Sequence, residues 1–135
     1  MAKTFVDTNV FLYSIDRKDP RKQAIAKRAI QQLVASRELV ISTQVLQEFF
    51  VSATRKLGYS PIDAKALLKM MASNEVVPVD LSDLETAVDL TIVHSFSFWD
   101  ALIFVSAAKS KCASLLTEDL QNGFVLNGVK VVNPF

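Results

Sequence analysis

Short apolar runs punctuate this chain at residues 3–6, 39–41, 76–79, 114–116 and 129–132, and helical-period segments separate most of them. Such runs read as strands buried on both faces. Parallel neighbours cannot be joined by a tight turn; they need crossovers of a dozen or more residues, usually helices. The alternation therefore predicts an α/β fold of three layers, a central and mainly parallel sheet flanked by helices.

The connecting segments carry their own start and stop signals. Asp19-Pro20 supplies an N-cap and a first-turn proline, and Ala24, Ile25, Ala29, Ile30, Leu33 and Val34 continue at helical spacing to about Ser36. Ser42-Thr43 caps a helix with the stripe Val45, Leu46, Phe49, Phe50 and Ala53, stopped near Gly58. Ser60-Pro61-Ile62-Asp63 opens a helix to about Asn74. Ser82 to Glu85 reads as a capping box for a helix to about Val93, and Ser97 with Asp100 opens another to about Lys111. Asp7-Thr8-Asn9 suits a strand end or a helix cap, and Asn122-Gly123 and Asn127-Gly128 are turn signals.

With 135 residues, 50% of them apolar and 21% charged, the composition is that of a globular protein with one core, expected as a single domain over residues 1–135. The one cysteine, Cys112, cannot close an internal disulfide, and with a single histidine a thiolate or imidazole zinc site is excluded. Any metal must be held by oxygen. Asp7 interrupts what would be the apolar stretch of a signal peptide, and residues 96–108 contain Asp100 and fall short of the ~20 residues of a membrane span. A cytoplasmic protein without membrane attachment is expected. The net charge of +1 hides an asymmetry: residues 1–70 hold 12 Lys/Arg against 6 Asp/Glu, and residues 71–135 hold 3 against 8.

In open parallel sheets, ligands bind beyond the carboxyl ends of the strands. Four acids stand there. Asp7 follows the first strand, Glu48 lies on the helix after the second, Asp100 begins the helix from Trp99, and Asp119 follows the strand at 114–116. Gathered together they could not all stay ionised unaided, since two unit charges 4 Å apart repel by roughly 4 kcal/mol at an effective dielectric of about 20. A hard divalent cation, Mg²⁺ or Mn²⁺, answers that repulsion with an all-oxygen shell and leaves room for a substrate phosphate. This is the donor set of metal-assisted phosphodiester hydrolysis.

Singly, each acid has an ordinary explanation. Asp100 fits a capping box, Asp7 a turn and Glu48 a solvated helix, although no basic residue stands within four positions of Glu48 to pair with it. His94 is alone, so a two-histidine acid–base mechanism is excluded, and it reads as a helix-end residue. Cys112 reads as a small buried side chain. Arg17, Lys18, Arg21, Lys22, Lys27 and Arg28 place six cations in twelve residues, either a solvated face or a phosphate-tracking surface; Arg55 and Lys56 end the helix of Glu48. Aromatics at helical spacing are core, and Trp99, adjacent to Asp100, is the exception offered as a substrate or partner contact.

Taken together, Val6-Asp7-Thr8-Asn9, Gln47-Glu48-Phe49, Phe98-Trp99-Asp100-Ala101, Leu116-Thr117-Glu118-Asp119 and Val131-Val132-Asn133-Pro134-Phe135 span nearly the whole chain. In these motifs it resembles the PIN domain, specifically the small ribonuclease toxins of VapBC toxin–antitoxin pairs. The resemblance implies a PIN-like three-layer α/β fold and a Mg²⁺- or Mn²⁺-dependent endoribonuclease. It places Asp7, Glu48, Asp100 and Asp119 on the acidic catalytic and metal-ligand positions, Thr117 on a supporting hydroxyl and Asn9 on the polar residue two places after the first acid. It further implies an RNA substrate, a homodimer, and a cognate VapB-like antitoxin whose tail fills the active-site groove. A haloacid-dehalogenase-like phosphatase is disfavoured because Asn9 stands where that family needs a second acid, and a receiver domain lacks its signature around Asp80. The competing reading is a PIN-like RNA-binding or regulatory scaffold without significant nuclease activity.

Overall fold

A computed structural model describes residues 2–135 of the chain. The first strand, β1 (Thr4–Val6), sits inside a sheet with β2 (Leu39–Ser42), β3 (Glu75–Val77), β4 (Ser114–Leu116), β5 (Val125–Leu126) and β6 (Val129–Val132). The spatial order is β3-β2-β1-β4-β6-β5. Every pairing is parallel except β5 with β6, whose antiparallel hairpin closes one edge. Asn127 and Gly128 take positive φ of 51° and 80° in its two-residue turn, the geometry that favours an Asn-Gly pair.

Helices α1 (Thr8–Ile15), α2 (Pro20–Ser36), α3 (Thr43–Arg55), α4 (Pro61–Met71), α5 (Leu81–Val93) and α6 (Phe98–Lys109) make the connections. The expected α/β architecture with a mainly parallel sheet is the one observed. Two elements go beyond expectation. Asp7-Thr8-Asn9 takes the second of its two expected roles, a helix cap, and the helix it opens, α1, has no expected counterpart; the Asp7 side chain accepts the Thr8 N–H and starts the first turn. The edge strand β5 is two residues long, too brief for a periodic signal.

Capping at α5 is also corrected. The N-cap is Asp80, not Ser82, and its box partner is Asp83: Asp80 accepts the Asp83 N–H while Asp83 accepts the Asp80 N–H. The helix therefore starts two residues early, and the Ser82 hydroxyl donates to Asp80 instead. At α6 Ser97 accepts the Asp100 N–H, so its cap is as expected. Helices α4 and α6 stop a turn or less before their expected ends.

The main core lies on both faces of the sheet, with Phe5, Val40, Ile41, Phe49, Phe104, Leu115 and Val131 almost wholly excluded from water. Residues 101–107 of α6 are buried on every side, as a helix without a polar face requires. A smaller apolar cluster of Ala87, Ala101, Leu102 and Val105 fastens α5 to α6. Strands leave β1 first towards β2 and β3, and later towards β4 and β6 on its other side. The order thus reverses between β1 and β4, and a crevice opens at their carboxyl ends.

Candidate active site

That crevice is where the strand-end acids meet. A cleft of about 570 Å³ is lined by Asp7, Glu48, Asp100 and Asp119, with Trp99 and Lys56 also on its wall. Asp7 ends β1, Asp119 follows β4, Glu48 projects from the second turn of α3, and Asp100 from the first turn of α6. Residues 41, 52 and 19 positions apart thus share one cavity.

Neutral side chains hold the carboxylates. Asp7 is 6% exposed; its Oδ1 accepts the Thr8 N–H at 2.7 Å and its Oδ2 the Thr117 hydroxyl at 2.7 Å. Thr117 Oγ1 accepts in turn from the Asp119 N–H at 3.1 Å. Asn9 Nδ2 donates to Asp119 Oδ2 at 2.9 Å, and the Thr8 hydroxyl donates to Glu48 Oε1 at 2.7 Å. One turn before Glu48, Gln44 Nε2 reaches both Glu48 Oε2 at 3.4 Å and the Trp99 carbonyl at 3.1 Å, tying α3 to the start of α6. Asp100 is half-buried.

The electrostatics follow from this packing. Burial pushes the Asp7 carboxyl up to about 7, against the pull of the Thr117 and Thr8 hydrogen bonds, and the charges of Asp119 and Glu48 push the same way. Asp100 is also raised, chiefly by burial, opposed by Ser97 and reinforced by Asp119. Among the described residues none of the four acids is in an ion pair. Burial first, and the neighbouring carboxylates second, therefore favour the protonated forms of Asp7 and Asp100.

The donor set is all oxygen and suits a hard cation. Two buried oxygens, Asn9 Oδ1 and Gln44 Oε1, have no hydrogen-bond partner, and both residues line the cleft. No three acidic, histidine or cysteine side chains among the described residues stand close enough to chelate an ion by themselves. Mg²⁺ does not demand that: it keeps several waters and is bound through one or two carboxylates plus substrate phosphate. The residues fit such an ion.

A family model described as "PIN domain" matches residues 4–123. The chain belongs to the PIN domain family. The curated relative "Ribonuclease VapC23" of Mycobacterium tuberculosis is 31% identical over 83 residues, which cover 62% of this PIN domain chain and 65% of the relative. The chain therefore matches just under two thirds of that relative's length. Among solved structures, the M. tuberculosis toxin VapC20, described as cleaving the sarcin–ricin loop, superposes with a TM-score of 0.68 at 26% identity, covering 84% of this chain and 87% of that one. A DNA-bound VapBC from Salmonella typhimurium gives 0.72 at 17% identity and full coverage of both chains, a likeness of fold.

The four acids and Asn9 line the PIN domain's cleft, and buried Thr117 stands behind Asp7. Trp99, 61% exposed, stands on the wall beside Asp100. The basic residues divide. Arg21 Nη2 donates to the Phe135 carbonyl at 2.6 Å, and Lys22 pairs with Glu118 at 2.8 Å while sitting 4.5 Å from the Tyr13 ring centre. Neither lines the acid cleft. Arg17 and Lys18 lie in a neighbouring depression. His94 caps α5 by donating its N–H to the Leu90 carbonyl, its ring stacked on Phe96, and Cys112 is buried. Val45, Phe49, Ala53, Ala64 and Met71 of α3 and α4 turn inward, while Val51, Ile62 and Met70 remain exposed.

Sequence reasoning passed over Gln44 and the individual role of Thr8. Each had a signal: Gln44 precedes Glu48 by one helical turn, a spacing at which side chains meet, and Thr8 follows Asp7 directly.

Proposed function

We propose that residues 1–135 form one PIN domain acting as a Mg²⁺- or Mn²⁺-dependent endoribonuclease, the toxin of a type II toxin–antitoxin pair in the cytoplasm. The observation that carries this reading is the cleft at the β1–β4 switch point, where Asp7, burdened by burial and by Asp119 and Glu48, has no cationic side-chain partner among the described residues. A group so destabilised as an anion calls for a counterion. Likeness to VapC23 and VapC20 supports ribonuclease chemistry, and VapBC neighbours support a VapB-like antitoxin as partner. A homodimer belongs to the same proposal.

When bound, a divalent ion polarises a phosphoryl oxygen, lowers the pKa of a bound water and stabilises the leaving oxygen. The chain's part is to hold the ligands and the RNA. Asp7 and Asp119, held in one orientation by Thr117 and Asn9, would hold the ion together with Asp100 and Glu48, which line the same cleft from α6 and α3. Thr8 and Gln44 fix both Glu48 oxygens, so its carboxylate cannot swing away. Trp99 offers an exposed ring on which a base can stack.

A second reading is an RNA-binding scaffold without cleavage, for which the same cleft would hold RNA without cutting it; among the described residues no three ligands form a closed cage. One experiment separates them. Purified protein is incubated with a broad RNA panel and Mg²⁺ or Mn²⁺. Cleavage that stops with chelator and disappears in Asp7→Asn supports the nuclease; intact RNA with folded, metal-bound wild type supports the scaffold.

A further inference from the structure

The acid cleft continues into a groove of opposite character. Lys56 caps the C-terminal end of α3, eight positions beyond Glu48, or about 12 Å of helix rise. It lines the acid cleft, a small depression shared with Asn9 and Asp16, and a third hollow of about 400 Å³ that contains Arg17 and Lys18. Shared wall residues set these three hollows side by side along α1 and the end of α3. Arg17, Lys18 and Lys56 are all exposed, and among the described residues none forms an ion pair. Their neighbours Arg21 and Lys22 are already engaged by the Phe135 carbonyl and Glu118.

We propose that Lys56, Arg17 and Lys18 form a second phosphate site that grips the RNA backbone away from the scissile bond. The proposal rests on the ribonuclease reading and adds the direction in which the strand leaves the acids. A polyanion entering a cleft of four carboxylates gains nothing there electrostatically until a cation is bound, so its affinity must come from cations outside the reacting centre. Two acids face the outer hollow, Asp16 and Asp63. Asp16 Oδ1 accepts the Lys18 backbone N–H at 3.0 Å, and Asp63 occupies the first turn of α4, where the helix dipole offsets a negative charge. Three unpaired cations against these two acids leave the hollow net positive.

The test uses full-length protein and a fluorescently labelled single-stranded RNA, with anisotropy titrations in chelator over a range of salt. Lys56→Gln and the pair Arg17→Gln/Lys18→Gln should weaken binding for every sequence tried. Each lost phosphate contact should flatten the slope of log K against log salt by about 0.7. Lys130→Gln, exposed on β6 and outside these hollows, should change neither quantity, and thermal melts of all variants should match wild type. Wild-type affinity and slope in the Lys56 and Arg17/Lys18 variants would overturn the groove, whatever the cleavage assay shows. Intact RNA with Mg²⁺ or Mn²⁺, together with weakened binding and a flatter slope in the Lys56 and Arg17/Lys18 variants, would overturn the nuclease reading and uphold the groove.

Discussion

Thr117 donates its hydroxyl to Asp7 Oδ2 at 2.7 Å across 110 positions of sequence, joining the end of β4 to the end of β1 where the strand order reverses. Thr117 is wholly buried, so this bond is made out of contact with water. Thr117→Val keeps the shape and removes the donor, leaving a buried carboxylate oxygen unsatisfied. The variant should lose about 1–3 kcal/mol of stability by denaturant midpoint and most of its RNA cleavage, while Thr117→Ser retains both.

Asp7 makes the metal-free protein sensitive to pH. Its carboxyl titrates near 7 in the folded chain and near 3.8 unfolded, so the folded state binds the extra proton between those values. The resulting stability is complete below the unfolded value and is lost as pH rises through about 7. Melting in chelator should fall by several degrees between about pH 5 and about pH 8, and Asp7→Asn should flatten the curve. A wild-type melting temperature that rises over this interval would contradict the assignment.

Divalent cations should reverse that loss. A ligand bound only by the folded state stabilises it by ~2.7 kcal/mol at 100 times its dissociation constant. Calorimetric scans with Mg²⁺ at neutral pH should therefore show an upward shift in wild type, and a much smaller one in Asp7→Asn.

Gln44 ties two helices that each carry an acid. Its amide spans Glu48 and the Trp99 carbonyl, and the side chain is 3% exposed. Gln44→Ala should cost about 1–3 kcal/mol and reduce cleavage, whereas Gln47→Ala, one position from Glu48 but exposed, should leave stability within about 0.5 kcal/mol.

Away from the cleft, Lys109 Nζ donates to Asp83 Oδ2 at 2.8 Å, Asp80 Oδ2 at 3.2 Å and the Pro78 carbonyl. Asp83 is 5% exposed, so Lys109→Met strands a nearly buried charge. We expect a lower urea midpoint with RNA cleavage unaffected at low temperature.

Much of this arrangement is legible in local sequence. Strands at residues 39–42 and 114–116 announce themselves by apolar runs between breakers, and Asp19-Pro20 and Ser60-Pro61 mark helix starts that depend only on backbone groups within one turn. The acids at the strand ends stood out by the same logic, one residue at a time. At α5 the local signal misled, because Asp80 and Ser82 are both good caps and only Asp80 has, three residues on, an Asp83 side chain that returns the hydrogen bond in the folded helix.

By itself, then, the amino-acid order determined the alternation of strands and helices, the parallel sheet it implies and the chemical type of the cleft, since these rest on periodicity, capping and residue identity. Only the tertiary structure decided which neutral partner holds each carboxylate, that Lys22 is committed to Glu118 while Lys56 has no ion pair among the described residues, and that burial raises the Asp7 carboxyl to about 7. Those outcomes depend on distances between residues far apart in the chain and on exclusion of water, and neither exists until the sheet is assembled.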